Sequence, residues 1–100
     1  MTGSGLFVGL ATADVVQVVH RLPARNEKTV ARESWLAAGG PAAVAAITFA
    51  ALGGRARLWT ALGSAPAARL VVADLAAADV EVIDVAPPGF ELGVCSRLGL

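Results

Sequence analysis

The sequence predicts an α/β fold: a parallel sheet with helical crossovers, accompanied by a small separate β lid. Three observations predict it. Apolar strand-like runs alternate with alanine-rich helix-like runs, in the order strand, helix, strand, helix, strand. Glycines follow the strand-like runs at Gly9 and Gly63 and flank the first helix at Gly39-Gly40 and Gly53-Gly54. Two extended segments, about 15–20 and 29–36, break that rhythm, and the second is too polar for a core, so they are assigned to a protruding sheet.

Leu6-Phe7-Val8-Gly9-Leu10 reads as a buried strand, and Ala11-Thr12-Ala13-Asp14 as the loop after it. Val15-Val16-Gln17-Val18-Val19-His20 is β-branched and reads as a second strand. The stretch 22–28 is turn-like, and Thr29–Leu36 is an exposed strand of the lid. Gly39-Gly40-Pro41 then opens a helix that runs to about Leu52. Proline suits a first turn, where an N–H is not needed, and Gly53-Gly54 supplies the left-handed stop. Apolar residues lie all round this helix, which predicts burial on more than one side.

Residues 56–62 form the next strand, with Ser64 placed as a helix N-cap. The helix over 67–78 carries Ala67, Leu70, Val71, Leu75 and Ala78 on one face and stops at Asp79. Val80–Val85 is a strand. After Pro87-Pro88-Gly89, Phe90, Leu92 and Val94 alternate into a last strand that stops near the C-terminus.

One hundred residues make at most one domain. Net charge is zero, with eight basic and eight acidic residues scattered and no aromatic platform, which argues against nucleic-acid binding. Only 16% of residues are charged, against about 25% in an average domain, which points to surface meant to be covered. The uncharged run Leu36–Gly54 approaches membrane-spanning length. Its four glycines, one proline and many alanines make it a poor span, and no membrane association is expected. The N-terminus lacks a basic region and carries Asp14 where a signal peptide would be apolar, so a cytoplasmic protein is expected. Cys95 and His20 are single, which leaves no Cys-rich or His-rich metal site. Cys95 reads as a small buried hydrophobe, His20 as a solvent-facing strand residue, and Trp35 and Trp59 as packing residues.

Two features carry chemistry. Asp14 follows a strand that ends in glycine, where a carboxylate either caps its own loop or accepts hydrogen bonds from substrate hydroxyls. Gly39-Gly40 either makes a tight turn or lets a ligand approach the backbone at a helix start. In a parallel sheet, both sit at the strand C-termini, where ligands bind. Neither glycine pair is a Walker loop, and no G-x-G-x-x-G fingerprint is present.

These pieces resemble the N-terminal part of the PfkB carbohydrate kinases, the ribokinase-like family, over nearly all of residues 1–100. The resemblance lies in Gly9-x4-Asp14, Leu22-Pro23 with Glu27, Gly39-Gly40-Pro41-Ala42-Ala43, then Ala46, Gly53 and Gly63. Arg69-Leu70-Val71-Val72-Ala73-Asp74-Leu75 leading to Val80 completes it. It implies a Rossmann-type three-layer sandwich with the 15–20 and 29–36 segments as lid. It implies substrate-binding roles for Asp14, Gly39 and Gly40 toward a sugar or nucleoside, and a possible homodimer through the lid.

ATP and Mg2+ are the cofactors the family implies, held in a C-terminal part by a G-x-G-D motif that also supplies the catalytic base. That motif does not occur in these 100 residues, so a truncated, inactive chain is expected. The alternative is a non-catalytic sugar-binding or dimerising remnant. Two departures support it. Val44 stands where the family has an asparagine that contacts substrate. Gly63-Ser64-Ala65 stands for an acidic turn, with Ala68 in place of the next glycine.

Overall fold

A computed structural model describes residues 3–100. Its elements are β1 (Ser4–Val8), β2 (Thr12–Val18), β3 (Glu33–Gly39), α1 (Pro41–Ala51), β4 (Arg55–Thr60), α2 (Pro66–Ala77), β5 (Val80–Asp84) and β6 (Val94–Gly99). Two three-stranded sheets form. The body sheet has the order β1-β4-β5 and is all parallel. The lid sheet has the order β3-β2-β6, antiparallel between β2 and β3 and parallel between β2 and β6. This is the expected α/β architecture with a separate lid.

In β4, Ala56, Leu58 and Thr60 are buried while Arg55, Arg57 and Trp59 are exposed. The buried parity packs with α1 and α2 into one core, in which Leu58, Leu62, Val71 and Leu75 are the large members. Alanines at 43, 46 and 68 line the helix sides, so the helices lie close to the sheet. The opposite parity leaves Leu6, Val8 and Trp59 on an open face, beside an Arg57–Glu81 ion pair of 3.1 Å. Parallel sheets are ordinarily covered on both faces. The uncovered face makes the molecule a slab of 47 × 36 × 17 Å.

Helix α1 ends as its glycines predict. Gly53 takes φ 96°, the Gly53 N–H donates to the Ala50 carbonyl, and the Gly54 N–H donates to the Phe49 carbonyl. Phe49 folds back over Gly54 and meets Phe7 of β1, ring centroids 5.5 Å apart. At the end of α2, Asp79 takes the left-handed conformation itself, φ 61°.

Several expectations need correction. Strand β2 begins at Thr12, so Asp14 is a strand residue: Thr12, Ala13 and Asp14 pair with Gly39, Ala38 and Ala37. The lid strands are therefore Thr12–Val18 and Glu33–Gly39, where 15–20 and 29–36 were expected, and β6 joins them as a third. The last strand stops near the C-terminus as expected, and pairing with β2 sets its start at Val94, where the Phe90–Val94 alternation ends.

Helix α1 buries one side only, through Ala43 and Ala46, and leaves Val44 half exposed. Ala65, not Ser64, occupies the N-cap of α2, without a side-chain cap. The buried face of α2 is Ala68, Val71 and Leu75, and Leu70 is half exposed. Cys95 is exposed on β6, and Trp35 and Trp59 are each over 40% exposed. All three stand on strands whose outer faces have no covering layer. His20 is exposed, as expected. Among the described residues, no helix is long and apolar enough to cross a membrane.

Candidate functional site

The site forms where the lid joins the body. Asp14 is only 5% exposed, although it carries a charge. Thr12, two residues back on the same strand face, donates its hydroxyl to Asp14 Oδ1 at 2.7 Å. Arg97 of β6 donates Nη1 to Asp14 Oδ2 at 3.4 Å. Gly39 pairs with Thr12 and is thus diagonal to Asp14 on that face. A Cβ at position 39 would land on the Asp14 carboxylate, so only glycine leaves the carboxylate its place.

Gly40 is the N-cap of α1 at φ 92°. A Cβ there would lie 2.5 Å from the Leu10 carbonyl oxygen and 2.9 Å from the Ala11 Cα. The residues singled out by sequence, Asp14, Gly39 and Gly40, are therefore one contact cluster. It draws together the β1–β2 connection, the end of β3 and the start of α1. The N-terminus of α1 has no side-chain cap, so its first N–H groups and the positive end of its dipole stay available beside this cluster.

In-register pairing sorts the lid residues by face. Ala37, Asp14 and Cys95 form one row across β3, β2 and β6, and Trp35, Val16 and Arg97 form the next row on the same face. Of the other face, Ala13, Leu36 and Val94 border an apolar cavity of about 160 Å3 against Ala67, Leu70 and Val71 of α2. The Asp74 side chain of α2 accepts the Ala38 N–H at 2.7 Å, tying the lid to the body.

Gly63 lies at the same strand ends but contacts other groups. Asp84, at the end of β5, accepts the N–H groups of Leu62, Gly63 and Ala86 at 3.0, 3.1 and 2.9 Å. Its carboxyl is held below the usual value, chiefly by the Leu62 N–H, against a smaller opposing effect of desolvation. The sequence names Asp74 only within the matched helix and Asp84 only as a strand residue, since Ala38 and the Leu62–Gly63 backbone that they hold lie far away in the chain. Arg97 was missed for the same reason, 83 residues from Asp14.

Glu27, part of the matched pattern, organises the β2–β3 loop. Arg21 holds both its oxygens, at 2.8 and 2.7 Å, and the Ala24 N–H and Thr29 hydroxyl add weaker bonds. The Arg21 guanidinium is the main reason its carboxyl is lowered. Asn26 beside it takes φ 62°, a conformation asparagine tolerates better than most residues.

The acidic side chains at the strand ends do not make a Mg2+ site. Asp14 is bound by Thr12 and Arg97, and Asp84 is turned onto three backbone N–H groups. Among the described residues, no three His, Cys, Asp or Glu side chains cluster as metal ligands would.

This lid-and-body arrangement is the N-terminal part of a ribokinase-like α/β fold. The chain superposes on a candidate ribokinase from Agrobacterium tumefaciens with a TM-score of 0.88 and 25% identity, over 98% of this chain and 32% of that one. A ribokinase from Thermotoga maritima matches with a TM-score of 0.68 and 23% identity, over 94% and 31%. Phosphofructokinase-2 from Escherichia coli, in complex with fructose-6-phosphate, matches with a TM-score of 0.73 and 20% identity, over 96% and 30%. The chain thus spans about a third of the length of these structures. No family model and no curated protein matches the sequence.

Proposed function

We propose that this chain is the acceptor-binding part of a PfkB-type carbohydrate kinase. Such an enzyme would transfer the ATP γ-phosphoryl group to a hydroxyl of a sugar or nucleoside. The observation that carries the reading is the buried Asp14 carboxylate packed directly against Gly39, next to the uncapped start of α1. A carboxylate so placed accepts hydrogen bonds from vicinal hydroxyls, and the missing Cβ atoms of Gly39 and Gly40 let that carboxylate and the β1–β2 connection pack against the start of α1. The likeness to carbohydrate kinases over the whole described chain supports the same reading.

Phosphoryl transfer needs charge stabilisation and a base as well as a bound acceptor. No G-x-G-D motif lies in these residues and no Mg2+ ligand set is assembled, so the chain alone is expected to bind acceptor without turnover. Calorimetric titration with ribose, fructose and adenosine tests the binding role, and an ATP-coupled phosphorylation assay tests the inactivity. Binding that Asp14→Ala abolishes supports the reading. Saturable heat that Asp14→Ala leaves intact, or no binding at all, overturns it. Turnover by the purified chain overturns the inactivity.

A second reading, a dimerising module, is favoured by the lid surface. Trp35, Leu36, Val94 and Leu98 are each about half exposed on one small sheet. Sedimentation equilibrium of the chain distinguishes this reading: a monomer at all concentrations removes it. In either reading the protein works in the cytoplasm.

A further inference from the structure

Arg97 makes only a partial ion pair, and its surroundings give the rest of its donor fork a use. The contrast with Arg21 is within the same chain. Arg21 engages Glu27 with two nitrogens at 2.8 and 2.7 Å, as a bidentate structural pair does. Arg97 reaches Asp14 with one nitrogen at 3.4 Å, and its side chain stays 64% exposed. Most of its five N–H donors are uncommitted. They stand on the lid face that carries Asp14, in one row with Val16 and the half-exposed Trp35.

We propose that Arg97 is the anion-recognition residue of this site, and that the acceptor is a polyhydroxylated molecule carrying a phosphate ester or a carboxylate. The inference rests on the acceptor-site reading of Asp14. Three groups on one face would divide the work. Asp14 takes hydroxyls, the Trp35–Val16 row receives the apolar side of the ring, and Arg97 takes the anion bidentately. The chemistry explains why an arginine stands here. A buried carboxylate alone repels an anionic acceptor, and a guanidinium beside it cancels that repulsion. A neutral sugar would leave the fork facing water.

Calorimetry on the full chain tests this with fructose, fructose 6-phosphate, gluconate and inorganic phosphate as probes. Fructose 6-phosphate, gluconate or both should bind about tenfold or more tightly than fructose, the increment of a charge-assisted hydrogen bond. Which of the two gains identifies the anion. Arg97→Ala should erase the preference, so that the anionic probes bind no more tightly than fructose binds to the same variant. Arg97→Lys, which keeps the charge and loses the fork, should retain part of it. Circular dichroism of both variants checks that they fold. Equal affinity for fructose and both anionic probes overturns the inference and leaves the acceptor-site reading standing. So does a preference that survives Arg97→Ala. Inorganic phosphate binding as tightly as fructose 6-phosphate also overturns it, since Asp14 would then contribute nothing. No binding by any sugar overturns both readings.

Discussion

The Asp14 carboxylate rests on the bare backbone of Gly39, and a Cβ at position 39 would occupy its place. Gly39 has no positive φ, unlike Gly40 at 92°, so the requirement for glycine there is steric alone. This yields a clean test. Gly39→Ala should destabilise the fold by about 1–3 kcal/mol, the usual cost of overpacking, read as a lower urea midpoint at unchanged slope. In an Asp14→Ala background the same substitution should cost well under half as much, because the colliding atoms are gone. An additive cycle would mean that the two residues do not compete for space.

The contrast between these residues and Arg97 shows what was legible in the chain. Gly39, Gly40 and Gly53 are readable because a proline after glycines, or a glycine after an apolar helix, has a local conformational meaning. Asp14 stood out as a charge at the edge of an apolar run. Its placement in a loop fails because the short stretch Thr12-Ala13-Asp14, with one alanine and one aspartate, carries little strand signal of its own. Its strand exists through pairing with Ala37–Gly39. Strand β6 depends on pairing likewise: Ser96, Arg97 and Gly99 lack alternation, and β2 sets the bounds Val94–Gly99 of a strand expected to stop near the C-terminus. Ser64 satisfies the local rule for an N-cap, yet α2 begins one residue later, with Ala65 at the cap and Pro66 in the first turn, while Asp84, 22 and 21 residues on, holds the Leu62 and Gly63 N–H groups of the turn before it. Local rules found the turns, and nonlocal bonds decided the strands and the partners of the carboxylates.

Asp84 should make stability depend on acid. Its folded pKa lies below the ordinary 3.8, chiefly through the Leu62 N–H, with the Ala86 and Gly63 N–H groups adding to it. A depressed folded value means the contribution is complete above the unfolded pKa and disappears as pH falls through the folded one. The window therefore lies below about pH 4. Asp84→Asn should cost about 1–2 kcal/mol near pH 6, at the low end for bonds to a charged group because the side chain is exposed. The gap from wild type should close as pH drops toward 2. Urea midpoints across that range measure it, and a gap independent of pH would refute the assignment.

Asp74 should hold the lid to the body. It accepts the Ala38 N–H at 2.7 Å on the side of β3 that faces away from β2. Asp74→Ala leaves that N–H without its partner next to the cavity bordered by Ala13, Leu36 and Val71. Amide hydrogen exchange should accelerate about tenfold at Ala38, in keeping with loss of one bond of roughly 1–1.5 kcal/mol, while Leu58 in β4 stays protected. Equal acceleration at both would indicate global destabilisation and sink the idea of a local tie.

Thr60 offers a substitution expected to stabilise the fold. Strand alternation puts it on the helix-covered face of β4, 2% exposed, and its hydroxyl has no hydrogen-bond partner among the described residues. Its backbone carbonyl accepts the Val85 N–H at 3.0 Å, and neither substitution below removes that bond. An orphaned buried hydroxyl costs about 1–3 kcal/mol of desolvation, and valine replaces it at nearly the same shape. Thr60→Val should therefore raise stability by about 1 kcal/mol or more. Thr60→Ser keeps the orphan and removes a buried methyl, so it should lower stability by about 1 kcal/mol. The pair separates the two contributions, because the hydroxyl and the methyl change in opposite experiments. Urea unfolding of both variants at pH 7 measures the difference, and a Thr60→Val protein less stable than wild type would show that the hydroxyl has a partner.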